Sequence, residues 1–216
     1  MRVFSCSLPK IEYFYRTNGK QFHNYYFLHV KTNMDNRQRL KEIILEKSYR
    51  KGDFTLTSGK TSDFYVDVKQ TSLSAEGSYL CGKLILELML AAEEPIQAVG
   101  GMTLGADPLV TAVSVVSHLE GHPVPAFIVR KEAKGHGTAN YIEGLSNMPS
   151  GCRVTLLEDV VTTGGTLVKV IDRVEAAGFT VAQIITVVER QEGGVEVLAD
   201  AGYKLESLFT REELLS

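Results

Sequence analysis

The sequence predicts an α/β fold, a central parallel sheet flanked by helices. From about residue 74 to 200, short apolar runs rich in β-branched residues alternate with segments of helical period. Within that stretch, residues 153–178 form one complete strand–turn–helix unit, where the chemistry of the chain concentrates. Size agrees: 216 residues, 44% hydrophobic and 23% charged, suit one domain with a self-sufficient core.

Charge and cysteine usage narrow the function. A net charge of −3 gives no bulk attraction to nucleic acid or an anionic membrane, so neither is expected as a partner. Cys6, Cys81 and Cys152 are scattered and lack the paired spacing of a zinc site, so no metal-ligating set is expected. Reduced thiols and a cytoplasmic setting follow as expectations. The chain has no run of about 18 apolar residues, the length a membrane helix needs.

Taken in order, residues 1–33 are rich in Phe and Tyr, hold one acid, Glu12, and follow no sustained period. They fit neither a secretory signal nor a transit peptide. They read as an extension, disordered or not native, ahead of a domain covering 34–216. Asp35 caps a helix running to about Tyr49, with Leu40, Ile43 and Ile44 on its apolar face and Gly52 closing it. Phe54–Thr57 and Phe64–Asp67 read as a hairpin around Ser58-Gly59-Lys60. Ser74 opens a second helix, apolar through Leu80, Leu84, Ile85 and Leu88, with Cys81 in the core. Ile96–Val99 is a buried strand, and Gly100 to Gly105 a turn whose N–H groups are open to an anion. A helix over 107–119 and a strand over 124–129 follow.

That strand runs into Arg130-Lys131-Glu132-Ala133-Lys134-Gly135-His136-Gly137-Thr138, three fixed cations and a histidine in one long connection. Such a run is commonly solvated surface, but a long connection in a compact domain is also where lids occur. Arg153 to Leu157 is then a strand ending in Glu158 and Asp159. The turn Thr162-Thr163-Gly164-Gly165-Thr166 opens a helix, with Leu167, Val170, Ile171 and Val174 buried and Gly178 as its stop. A phosphate suits the positive end of that helix, while adjacent acids suit sugar hydroxyls or a hydrated cation. The loop lacks the Gly-Lys-Ser/Thr ending of a triphosphate P-loop. A strand over 181–188 ends near Arg190, a short helix covers 195–199, and a strand over 203–210 leads to a terminal turn.

The run from Leu156 to Thr166 resembles the phosphoribosyl-pyrophosphate (PRPP) motif of type I phosphoribosyltransferases. GDFTLTSGKTSDFYVD resembles the hood of the orotate-specific members, and RKEAKGHG resembles their catalytic loop. The resemblance implies the type I phosphoribosyltransferase fold with a small N-terminal hood, here 34–72. It also implies transfer of ribose 5-phosphate from PRPP to orotate, giving orotidine 5′-monophosphate and pyrophosphate with Mg²⁺, in pyrimidine biosynthesis. Glu158 and Asp159 would grip the ribose, Thr162, Thr163, Gly164, Gly165 and Thr166 would hold the 5′-phosphate, and Val160 and Val161 between them would also contact PRPP. Arg130, Lys131, Lys134 and His136 would meet the pyrophosphate, with Lys134, His136 and Asp159 catalytic. Phe64, Tyr65, Thr162 and Arg190 would select orotate. A homodimer is implied, the 130–138 loop reaching the neighbouring active site. Many relatives carry Lys where this chain has Thr57, and several where it has Leu104, so the turn at 103–105 would serve through its backbone alone. A transferase for another base, or a regulator that senses PRPP, would lack the catalytic loop.

Overall fold

The computed structural model describes residues 14–17, 20–23, 35–55, 61–133 and 141–216. Two compact units make up the chain, Met1–Met34 and Asp35–Ser216. In the first, β1 (Phe14–Thr17) and β2 (Lys20–His23) pair as an antiparallel ribbon.

The second unit opens with α1 (Asn36–Lys47), whose first turn is held by Asp35 accepting from the Arg37 amide at 3.1 Å. It stops sooner than the periodicity predicts, because Tyr49 pairs with Val66 and starts β3 (Tyr49–Thr55). Gly52 therefore does not close the helix. It lies in β3, where the register with β4 (Thr61–Val66) shifts between Lys51 and Phe54. The predicted turn at Ser58-Gly59-Lys60 and the Thr57 position lie outside the described residues. A short α2 (Lys69–Ser72), absent from the sequence reading, leads to α3 (Ala75–Leu90), capped by Ser74 as expected.

Six strands then build the main sheet: β5 (Ala98–Met102), β6 (Ala126–Val129), β7 (Ile142–Glu143), β8 (Arg153–Val161), β9 (Thr180–Glu189) and β10 (Leu205–Thr210). Between them lie α4 (Asp107–Leu119), α5 (Gly165–Ala176) and α6 (Gly194–Asp200), and α7 (Arg211–Leu215) ends the chain. Their order is β10-β9-β8-β5-β6-β7, parallel except for the two-residue edge strand β7, which no sequence pattern announced.

Alternation along the strands sorts the core into two layers. Leu157, Val99 and Ile185 pack with α1, α3 and α4. Their chain neighbours Leu156, Ala98 and Ile184 pack with α5 and α6. Strand order reverses between β5 and β8, because β5 hands on to β6 on one side while β8 hands on to β9 on the other. A crevice opens at the carboxyl ends of strands at such a reversal. Among the described residues, no helix is long and apolar enough to cross a membrane.

Candidate active site

β8 runs four residues past the strand expected from its apolar run. It pairs with β5 only as far as Leu157, opposite Gly101, but with β9 as far as Val161, opposite Glu189. Glu158 and Asp159 therefore lie within the strand, on the stretch where β5 has already turned away. This opening forms a cavity of about 370 Å³. Its walls are Met102 at the end of β5 with Thr103 to Gly105 after it, the run Glu158 to Leu167, Lys69 of α2 and Lys131.

The two acids differ in surroundings. Asp159 is 8% exposed, and its Oδ1 accepts the Val160 amide at 2.9 Å. Its Oδ2 lies 3.3 Å from Lys69 Nζ, which also sits 2.8 Å from Asp67 Oδ1. Burial acts to lower the Lys69 ammonium, but these two carboxylates outweigh it and hold the group above its ordinary value. Glu158 Oε2 is buried and has no hydrogen-bond partner among the described residues. Burial, then repulsion from Asp159, push the Glu158 carboxyl up to about 8.

Two glycines make the geometry possible. At Gly105 an added Cβ would fall 2.5 Å from Asp159 Oδ1 and 3.0 Å from Glu158 Oε1, so only glycine lets the 103–105 turn lie against both acids. Gly164 caps α5 at φ +76°, the left-handed region that glycine enters without strain. This aims the first turn of a 12-residue helix at the cavity, where its free N–H groups suit an anion.

Of the expected orotate residues, Thr162 is in the wall of this cavity, and Phe64, Tyr65 and Arg190 are not. Arg190 follows directly on β9, is buried, and donates its amide to Val161 O at 3.0 Å. Its guanidinium lies 4.5 Å from the Phe64 ring centre and pairs with Glu192 at 2.7 Å. Phe64 is 2% exposed, and Arg211 also sits over its ring at 4.4 Å. Tyr65 points the other way, as strand alternation demands, and packs at 5.5 Å on Phe54 with 43% exposure. The structure thus joins Phe64 to Arg190 and separates Tyr65 from both.

Of the cationic run, Lys131 lines the cavity, and Arg130 pairs with Glu143 at 3.0 Å. Lys134 and His136 lie outside the described residues. The start of the run is tied by a residue sequence reasoning missed. Arg173 of α5 donates to the carbonyls of Arg130 at 2.7 Å and Lys131 at 3.2 Å, and stacks 4.2 Å from the Tyr141 ring centre. Lys69 was missed too, because α2 is too short to show a period. The spacing Asp67-Val68-Lys69 was its only signal.

Known proteins are similar to this chain. A family model described as the phosphoribosyl transferase domain matches residues 83–206. The orotate phosphoribosyltransferase of Nostoc is 48% identical over 178 residues, 82% of this chain and 84% of that protein. The crystal structure of the Mycobacterium tuberculosis orotate phosphoribosyltransferase in complex with Fe(III) dicitrate matches with a TM-score of 0.72 at 37% identity, over 83% of this chain and 99% of that one. That enzyme in complex with PRPP matches at 0.69 and 33% identity, over 84% and 100%.

Proposed function

The chain belongs to the orotate phosphoribosyltransferase family, and from that premise we propose how its residues carry the reaction. Ribose 5-phosphate passes from PRPP to orotate, giving orotidine 5′-monophosphate and pyrophosphate, a step of pyrimidine biosynthesis. One observation supports the assignment of roles best. The acids of β8 and the phosphate-cradling turn before α5 wall a single cavity at the point where strand order reverses.

In this reading, Thr162 to Thr166 bind the 5′-phosphate through backbone N–H groups and hydroxyls. Asp159 and Glu158 accept from the ribose hydroxyls, holding the sugar still while its anomeric carbon gains positive charge. Glu158 is suited to this because its buried Oε2 gains a donor when the sugar enters. Lys131 and Arg130, with Lys134 and His136, meet the pyrophosphate as its bond to carbon breaks. Fixed cations there stabilise the charge that builds on the leaving group, and in this proposal His136 gives it a proton. Arg190 offers a planar pair of donors to the orotate carboxylate, exchanging its contact with Glu192, and Phe64 backs it.

Mg²⁺ is the cofactor in this proposal. The carboxylates of Glu158 and Asp159 and the hydroxyls of Thr162 and Thr163 around the cavity suit a hydrated hard cation and would hold it near PRPP through its water. When bound it neutralises phosphate charge. The working unit is a homodimer in which the 130–138 loop reaches the neighbouring site, and its setting is the cytoplasm. Residues 1–33 are an extension to the catalytic domain of 34–216, which includes the 34–72 hood.

The test is direct. Adding PRPP and Mg²⁺ to the protein with orotate should lower the orotate absorbance as the base is consumed, with pyrophosphate released in equal amount. Consumption of a purine instead, with orotate untouched, would assign the chain to another base.

A further inference from the structure

The acid that grips the sugar is itself gripped from outside its own strand. Asp159 has two oxygens, one tied to the Val160 amide and the other facing Lys69 Nζ at 3.3 Å. The lysine is 90 residues away in sequence and belongs to α2, next to the hairpin. Its ammonium is steadied by Asp67, which follows directly on β4, the strand bearing Phe64. Asp67 is fixed in turn: its amide donates to Ser48 O at 3.0 Å, and its Oδ2 accepts from Gln70 Nε2 at 3.2 Å.

Elementary electrostatics requires something of this kind. Two neighbouring carboxylates in a half-buried cleft repel each other and repel the phosphates of the ligand. Asp159 must nevertheless stay charged and correctly turned to accept from a hydroxyl. Lys69 and Lys131 are the cations in the cavity wall among the described residues, and Lys69 is the one in contact with an acid of the pair. With 41% of its side chain exposed, it is held by its partners and not by packing.

We propose that Lys69 is a positioning residue for PRPP binding, which holds Asp159 in its sugar-gripping orientation and offsets the charge of Asp159. The assignment rests on the reading of Asp159 as the ribose acceptor. It also links the hood to the sugar site, since the segment that positions Lys69 continues the strand that carries Phe64.

Isothermal titration of the full chain with PRPP and Mg²⁺, alongside steady-state kinetics, tests this. Lys69→Met should raise the Kd and KM for PRPP on the order of tenfold while kcat moves less than threefold, because the lysine acts through the sugar acceptor and not on the leaving group. Lys69→Arg should restore most of the affinity. The double variant Lys69→Met with Asp159→Asn should bind no more weakly than Asp159→Asn alone, since the lysine then has nothing left to hold. Wild-type affinity in Lys69→Met, with wild-type protein binding PRPP normally, overturns the inference and leaves the function intact. Losses that multiply in the double variant also overturn it, because the cation would then be meeting the ligand directly. Wild-type protein that binds no PRPP removes the functional reading and this inference together. A thermal midpoint for each variant separates loss of fold from loss of binding.

Discussion

At the scale of the residue, the cavity works by placing groups where water alone would not keep them. Glu158 is the clearest case. An acid held near 8 in the folded chain and near 4.5 in the unfolded one takes up a proton on folding at intermediate pH. Between those values the native state binds more protons than the unfolded state, so this group's contribution to stability falls as pH rises from 4.5 through 8. The thermal midpoint of the ligand-free protein should therefore drop between pH 5 and about 8.5. Glu158→Gln, neutral at every pH, should lose that part of the slope, and an unchanged slope would show that the carboxyl titrates normally. For the leaving group, Lys134→Ala should lower kcat on the order of 10²-fold, the scale of losing one preorganised charge-stabilising group. Unchanged turnover would remove Lys134 from the mechanism. These roles were unequally legible. Glu158 and Asp159 stand out as adjacent acids before a hydroxyl-rich turn, whereas Gly105 gains its meaning only from the carboxylate 2.5 Å from where its Cβ would be.

At the scale of the element, the hairpin of β3 and β4 shows what a period can and cannot say. Alternation along β4 sends Phe64 inward and Tyr65 outward, so the two were never going to line one pocket together. Phe64 packs with Tyr49 at 6.3 Å and carries Arg190 and Arg211 over its ring. Phe64→Ala should cost about 3 kcal/mol in denaturant unfolding, the cost of emptying a buried aromatic site. It should also raise the KM for orotate more than that for PRPP. Tyr65→Ala, on the exposed face, should leave stability nearly unchanged. Equal stability losses in both variants would contradict the burial pattern. The length of β8 belongs to the same lesson. Its apolar run stops at Leu157, but β9 continues to bond it through Val161, and a strand extends as far as its partner does.

At the scale of the whole molecule, the proposed dimer makes a prediction that no single chain can meet. Lys134→Ala and Asp159→Asn each damage a different half of the site. If the 130–138 loop serves the neighbouring subunit, a mixed dimer holds one site with both groups intact. Unfolding and refolding the two variants together in equal amounts should then recover roughly a quarter of wild-type turnover, since half the dimers are mixed and half their sites whole. No recovery would place the loop over its own subunit's cavity. What the sequence alone determined is local: which runs become strands and helices, where glycines end them, and that acids, hydroxyls and cations stand at strand ends. Those follow from periodicity and backbone sterics, which act over a few residues. Only the tertiary structure decided that strand order reverses between β5 and β8, that the cavity opens past Leu157, that Phe64 meets Arg190, and that Lys69 reaches Asp159. These contacts join residues far apart in the chain, and the burial that drives them depends on area removed from water, not on distance along the sequence.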